Sequence, residues 1–298
     1  MQKFQAVQPG GFWLVTGAAI LWGTIGVTTQ AIFRLDTTTS LFLNLARLLI
    51  ATPIMFVACW HVVGRAMFRI RRRDFAIMAL GGCLLAISQA SYFAAIRYSG
   101  VTIATLLTLC LAPVVVTSVS VLLKFETLTA RLVIALISAV IGSVLLVGLH
   151  SPEGAQDNLL LGTIFSVIAA ATYAGMIICG RFVASGYHPL QVTAITFGAG
   201  TLLLVPINLM GGIVTVHTLS GWLLVLYLGL GPTAFAYWLF QMGLRSVSAT
   251  TASIVGMLDP VVAALLAWLL FGETLAPSGI IGAALLILSI FLLSLSAK

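Results

Sequence analysis

The chain has 298 residues, of which 61% are hydrophobic and only 7% are Asp, Glu, Lys or Arg. Soluble domains average about 45–50% apolar and about 25% charged residues, so this composition excludes an ordinary water-soluble fold. The net charge of +7 is not accompanied by clustered basic and aromatic residues of the kind on which nucleic-acid bases stack. We therefore predict an integral membrane protein and exclude nucleic acid as a partner.

Ten apolar segments are long enough to cross a membrane. A spanning helix needs about 20 mostly apolar residues, because the hydrocarbon core is about 30 Å thick. The connections are short and leave no room for a soluble domain. The first segment is too long for the core of a signal peptide, so we expect it to stay in the mature protein. The predicted spans are residues 11–33, 39–61, 74–96, 100–123, 130–149, 159–180, 189–212, 220–243, 249–270 and 278–296.

The basic residues are distributed unequally between the two sides of this predicted bundle. With an even number of spans, both termini lie on one side, and that side holds most of the Lys and Arg residues, including the basic run 69–73. Of the Lys and Arg residues, only Arg34 and Arg97 lie in the connections on the opposite side. The positive-inside rule therefore predicts that both termini are cytoplasmic. We interpret the run 69–73 as a topology determinant at the anionic inner leaflet.

Two stretches of the sequence match each other at one fixed offset. Pro113 and Pro260 are both followed by Val-Val, Glu126 and Glu273 are both followed by Thr-Leu, and each pair is separated by 147 positions. Each repeat therefore holds five helices, and because five is odd the second copy enters the membrane in the opposite orientation. Inverted repeats are a common plan among transporters. We predict an all-α membrane protein with two inverted five-helix repeats, residues 1–149 and 150–298, in one intertwined domain that works by alternating access.

These features resemble the ten-helix drug/metabolite transporter superfamily of the EamA type. The resemblance covers nearly the whole chain and includes Leu21-Trp22-Gly23 in the first helix, Thr172-Tyr173-Ala174 in the sixth and residues 233–238 in the eighth. It is closest to the bacterial aromatic amino acid exporters. It implies a multi-pass carrier in the bacterial inner membrane that exports small metabolites, above all aromatic amino acids, without a cofactor.

Two charged residues lie well inside the predicted spans. Arg47 lies in the second helix, and Asp259 lies near the middle of the ninth, where the repeat has Ala112 at the matching position. Charges inside a membrane are costly and mark functional sites by default. Asp259 either couples protons or binds a substrate amine, or it is structural, being protonated, paired with Arg47 or capping backbone freed by Pro260. We expect Pro113 and Pro260 to kink their helices at a moving gate, with a static packing kink as the alternative.

The remaining candidates are mainly aromatic or polar residues that recur on single helix faces. Aromatic walls with a few hydrogen-bonding groups are typical of ligand pockets. Helix packing or anchoring at the membrane interface is the alternative role for such residues. The predicted substrate-binding residues are Trp22, Thr28, Gln89, Tyr92, Thr105, Tyr173, Tyr237, Trp238, Gln241 and Met257.

Other functions stay open at this point. The sequence has no nucleotide-binding loop, no HExxH motif and no histidine deep in a span, which argues against an enzyme. A receptor or scaffold would not need inverted symmetry. The nearest rival is a multidrug exporter that exchanges lipophilic cations for protons, for which Asp259 is the candidate carboxylate. We predict no metal and no cofactor, with a small-molecule substrate and membrane lipid as partners, either as a monomer or as an oligomer of unknown size.

Overall fold

The computed structural model describes residues 9–147, 158–212, 214–272 and 276–295. Within these residues there are ten helices long and apolar enough to cross a membrane, and there is no strand. The prediction of an all-helical protein with ten spans is thereby confirmed. The helices are α1 (Pro9–Leu35), α2 (Ser40–Val63), α3 (Arg72–Gly100), α4 (Thr102–Leu122), α5 (Ala130–Val147), α6 (Leu159–Val183), α7 (Pro189–Gly211), α8 (Leu219–Gly243), α9 (Ala249–Leu270) and α10 (Pro277–Ser294).

Capping side chains fix where several helices begin. The Thr39 hydroxyl accepts a hydrogen bond from the backbone N–H of Phe42 before α2, and the Ser248 hydroxyl does the same for Thr251 before α9. His188 and Gln191 form a reciprocal capping box at the start of α7. Such caps satisfy backbone donors that a helix terminus leaves unpaired, so short polar connections suffice between the apolar spans.

Three helical regions depart from regular α geometry. Gly100 has φ 79° and ψ 164°, and only one residue separates α3 from α4. α8 contains a π-helical segment, Gly229–Phe235, around Pro232. α9 is interrupted after Gly256, and a second helical segment begins at Asp259 with Pro260 in its first turn. Proline removes a backbone donor and so favours both kinds of interruption.

The two predicted kinks therefore differ. Pro260 lies at a real break in α9, whereas Pro113 lies inside α4 at a point where the helical dihedral angles continue without interruption. The Thr117 hydroxyl donates to the Pro113 carbonyl at 2.7 Å. The matching sequences around the two prolines thus have different local structures. α9 is interrupted between Gly256 and Asp259, whereas α4 continues through Pro113.

The contacts between helices recur across the two halves. α3 packs on α6 and α7, and α8 packs on α1 and α2, while α2 contacts α7 and α5 contacts α10. This pairing is the one that an exchange of the two five-helix halves would produce, and it supports the predicted repeat. The opposite orientation of the halves in the membrane stays a prediction, and Glu273 lies outside the described residues.

Close crossings depend on glycine. A Cβ atom built on Gly282 of α10 would lie 2.5 Å from the carbonyl oxygen of Gly142 in α5, and one built on Gly82 of α3 would lie 2.1 Å from the carbonyl oxygen of Thr196 in α7. Small residues allow transmembrane helices to approach backbone to backbone, where van der Waals contact holds them together in lipid.

Candidate substrate cavity

A cavity of about 590 Å³ lies between α1, α2, α3, α4, α6, α8 and α9. Its walls are mostly apolar and aromatic, with a few polar groups, as ligand pockets usually are. Most of the predicted site residues line it. These are Trp22, Arg47, Gln89, Tyr92, Thr105, Pro113, Tyr173, Tyr237, Met257, Asp259 and Pro260.

Three predicted residues do not line the cavity. Gln241 is buried and donates from its amide nitrogen to the carbonyl oxygen of Gly180 at 2.9 Å, so it ties α8 to α6. The Trp238 ring packs against Phe235 with ring centroids 5.7 Å apart, and its indole N–H has no hydrogen-bond partner among the described residues. Thr28 of α1 is buried beside the cavity but contributes nothing to its wall.

The π-helical segment of α8 explains why the predicted face was misplaced. The prediction of Trp238 and Gln241 as site residues assumed a regular period of 3.6 residues along this helix. A π segment accommodates an extra residue and rotates everything that follows it around the helix axis. As a result, Tyr237 rather than Trp238 lines the cavity.

An aromatic cluster holds the Trp22 and Tyr237 rings. The Trp22 ring lies 5.0 Å from that of Tyr237 and 5.1 Å from that of Phe240, and the Tyr237 ring lies 5.1 Å from that of Phe197. Edge and tilted contacts at such distances are favourable for aromatic pairs. The cluster therefore fixes the orientation of the rings that face the cavity.

Hydrogen bonds link neighbouring helices around the same cavity. The Tyr92 hydroxyl lies 2.7 Å from that of Thr105, which joins α3 to α4. The Asn44 amide donates to the Gln89 carbonyl oxygen at 3.2 Å, which joins α2 to α3. Asn44 was missed from the sequence, although an amide in an apolar span one helical turn before Arg47 is a signal that could have revealed it.

Arg47 and Asp259 are the charged groups of this cavity among the described residues. They attract each other electrostatically, yet they form no ion pair, and the Arg47 Nε atom is buried without a hydrogen-bond partner. Asp259 lies in the first turn of the second segment of α9, where the helix dipole favours a negative charge. The described structure therefore shows no direct pairing of Asp259 with Arg47, and the other roles considered for Asp259 stay predictions.

Comparison with known proteins identifies the family. The model of the EamA-like transporter family matches residues 9–148 and again residues 160–295. The chain belongs to the EamA-like transporter family. One match falls in each of the two predicted halves, and together they cover nearly all of the described residues.

Named members of similar sequence are also transporters. A protein of Archaeoglobus fulgidus, named an uncharacterized transporter, is 30% identical over 92% of this chain and 93% of its own length. A protein of Salmonella typhimurium, named the uncharacterized inner membrane transporter YicL, is 28% identical, with 94% of each chain covered. The riboflavin transporter ImpX of Fusobacterium nucleatum is 25% identical over 95% of this chain and 97% of its own. This EamA-like protein is thus a multi-pass membrane transporter.

A solved structure confirms the fold. A protein crystal structure with 20% sequence identity superposes with a TM-score of 0.82 and covers 96% of this chain and 98% of that one. At this level of identity the likeness concerns the ten-helix fold alone.

The cavity of this EamA-like transporter extends toward one end of the bundle. Its wall includes Ser40 at the start of α2, Thr29 near the end of α1 and Ile96 near the end of α3. These positions lie at the end that the charge distribution predicts to be external. The described conformation therefore directs the cavity toward that predicted external end.

The opposite end of the transporter is held together by polar contacts. Arg181 of α6 donates to the carbonyl oxygen of Leu244 at 2.9 Å, and Glu126 accepts from the backbone N–H of Thr250 at 3.3 Å. The first bond joins α6 to the connection between α8 and α9, within the second half. The second bond joins the connection between α4 and α5, in the first half, to the start of α9. If the carrier works by alternating access, the contact between Glu126 and Thr250 would have to break, because it joins the two halves at the predicted cytoplasmic end.

Proposed function

We propose that this protein exports aromatic amino acids across the bacterial inner membrane by alternating access, with the zwitterionic substrate held between Arg47 and Asp259. The observation that carries the proposal is the combination of one cation and one anion, unpaired with each other, in an aromatic-lined cavity of about 590 Å³. An amino acid bears a carboxylate and an ammonium group on one carbon atom. Arg47 would bind the carboxylate, Asp259 the ammonium group, and the aromatic walls the ring.

The cavity favours a zwitterion over the rival substrates. A lipophilic cation would be attracted by Asp259 but repelled by Arg47, which lines the same cavity. Riboflavin, the substrate that the name of the Fusobacterium relative gives, has a flat ring system but is uncharged at neutral pH. It would stack on Trp22 or Tyr237 without using either charge, and burying two unused charges is costly.

The test is a comparison of phenylalanine with two of its analogues in proteoliposomes. Phenethylamine lacks the carboxylate, and 3-phenylpropionate lacks the ammonium group. We expect the wild-type protein to bind both at least tenfold more weakly than phenylalanine, because a hydrogen bond to a charged group contributes about 1.5–3 kcal/mol and about 1.4 kcal/mol is tenfold in affinity. Competition with counterflow of labelled phenylalanine measures each preference.

Two variants assign the contacts separately. Arg47→Gln should lose the preference for phenylalanine over phenethylamine, and Asp259→Asn should lose the preference over 3-phenylpropionate. Thr28→Val is the matched control, since it changes a buried polar residue beside the cavity without altering its wall. If riboflavin or a quaternary phosphonium compound competes in the wild-type protein while phenylalanine is not carried, the proposal is wrong.

Direction and coupling need their own measurements. Export rests on the resemblance to the bacterial aromatic amino acid exporters, and cells that overproduce the protein should retain less labelled phenylalanine than cells with the Arg47→Gln variant. Greater retention would indicate uptake. Counterflow with and without a pH gradient then tests whether Asp259 couples substrate to protons, since only a coupled carrier should respond to the gradient.

A further inference from the structure

A second cavity, of about 410 Å³, lies at the end of the bundle opposite to the mouth of the substrate cavity. Three connections form it: the one between α2 and α3, the one between α6 and α7 and the one between α8 and α9. Its lining includes Arg69, Arg245, His188, Tyr187 and Gln191. This end is the predicted cytoplasmic one, so the cavity lies where the inner leaflet meets water.

The described residues that line this second cavity carry a net positive charge. Arg69 and Arg245 come from different connections, and neither guanidinium makes a hydrogen bond or an ion pair within the described part of the chain. No carboxylate is part of the lining. The carboxylate of Asp74 lies outside this lining and accepts a hydrogen bond from the Tyr187 hydroxyl at 2.6 Å.

His188 adds a neutral donor to the two cations. Burial and the charge of Arg245 lower the pKa of His188 below its usual value of 6.5, so the ring is neutral at pH 7. Its Nδ1 atom accepts from the backbone N–H of Leu190 at 3.3 Å. In the neutral ring the proton must then be on Nε2, which is left as a donor.

The walls of this cavity are held in place by hydrogen bonds. The Gln191 amide donates to the carbonyl oxygens of Ala66 and Met67, both at 3.2 Å, and thereby ties α7 to the connection after α2. The Tyr187 hydroxyl accepts from the backbone N–H of Arg71 at 3.2 Å. The cationic groups thus project from a fixed frame, which lowers the entropy lost when a ligand is bound.

We propose that this second cavity binds a phosphate group, with Arg69 and Arg245 as the charged ligands and His188 as a neutral donor. Arginine suits such a ligand because its planar fork matches phosphate oxygens. The group can be part of an anionic phospholipid of the inner leaflet, where basic pockets commonly hold headgroups, or part of a soluble phosphate compound. Arg69 belongs to the basic run 69–73, which we interpret as a determinant of membrane topology, so this residue would have a second role.

A bound phosphate group would also affect conformation. It would bridge the connection after α2 to the connection after α8, which lie next to the contacts that close the same end of the bundle. A ligand stabilises the state that binds it, so occupancy should stabilise the described conformation.

The experiment is thermal unfolding of the purified, delipidated protein in detergent. We expect phosphatidylglycerol or inorganic phosphate to raise the melting temperature by about 5 °C at roughly 100 times Kd. Phosphatidylcholine, and sodium chloride at matched ionic strength, should not. A rise with the lipid alone identifies a headgroup, and a rise with inorganic phosphate alone identifies a soluble ligand. A rise with neither overturns the proposal.

Variants distinguish a site from general surface charge. Arg69→Gln/Arg245→Gln should abolish the rise. The control is Arg65→Gln/Arg72→Gln, which removes two exposed arginines of the same end that do not line the cavity, and it should respond like the wild type. Equal responses of the two double variants would overturn the proposal, because nonspecific attraction to the basic end would then explain the binding. The proposal is independent of the transported substrate.

Discussion

Replacing Gly282 with alanine should destabilise the crossing of α5 and α10. The new Cβ atom would lie 2.5 Å from the Gly142 carbonyl oxygen and 2.5 Å from the Leu146 backbone nitrogen, whereas ordinary contact begins at 3.4 Å. Both obstructing atoms are backbone, so no side-chain rotation relieves the clash, and the helices must separate by nearly 1 Å. Overpacking costs about 1–3 kcal/mol, and the better helix propensity of alanine offsets up to about 1 kcal/mol.

We therefore expect a net loss of about 1 kcal/mol in the free energy of unfolding, or a fall of roughly 2–4 °C in melting temperature. The matched control is Gly26→Ala in α1, because a Cβ atom there meets nothing within 4 Å. Thermal unfolding of both variants in one detergent measures the difference. If Gly282→Ala melts with the wild type, or if Gly26→Ala falls equally, backbone contact does not hold this helix pair.

Three further outcomes are expected. Gly100→Ala should cost about 1–3 kcal/mol of stability, since φ 79° with ψ 164° is a region that only glycine readily adopts; an unchanged melting temperature would contradict this. Gln241→Leu should lower the free energy of unfolding by about 1 kcal/mol, because its hydrogen bond to Gly180 is lost. Substrate affinity measured by counterflow should not change, and a large change would restore the predicted role of Gln241 in binding. The Thr218 hydroxyl, by donating to the Asp36 carboxylate, holds the pKa of Asp36 below its usual 3.8, so this stabilisation is complete above that pH and is lost as the pH falls through the lowered value. The difference in melting temperature between wild type and Asp36→Asn should accordingly shrink below pH 3.8, and a difference independent of pH would refute the assignment.

The spans could be predicted from the sequence because lipid leaves a backbone few choices. Every N–H and C=O group in the hydrocarbon must be paired within the segment, so a long apolar run becomes a helix. The ends were less certain. Residues 97–99 were expected to connect two helices, but α3 continues to Gly100, because a single glycine with positive φ makes the turn.

The types of residue that line the cavity could be predicted, but the face that α8 presents to it could not. Trp22, Tyr92 and Tyr173 were found by assuming regular helices, and that assumption holds in α1, α3 and α6. It fails in α8, where the π-helical segment turns Trp238 away. Local irregularity of this kind depends on packing around a proline, and a periodic pattern in one sequence does not record it.

Arg47 and Asp259 show a second limit of prediction from the sequence. The sequence indicates that two opposite charges lie in the membrane, and direct pairing is one of the alternatives that it leaves open. Whether two such side chains touch depends on the distance between α2 and α9, which the helix crossings set and the spacing of residues does not. In the described structure the two side chains line one cavity without forming an ion pair.

In a carrier that works by alternating access, the break at Gly100 would also affect the relative populations of the inward-open and outward-open conformations. One residue links α3 to α4, whereas residues 244–248 link the corresponding α8 and α9. Two identical halves would make the inward-open and outward-open states equal in free energy. In a carrier that works by alternating access, unequal hinges would remove that equality, so the empty carrier would have a preferred resting state and would reorient faster in one direction than in the other.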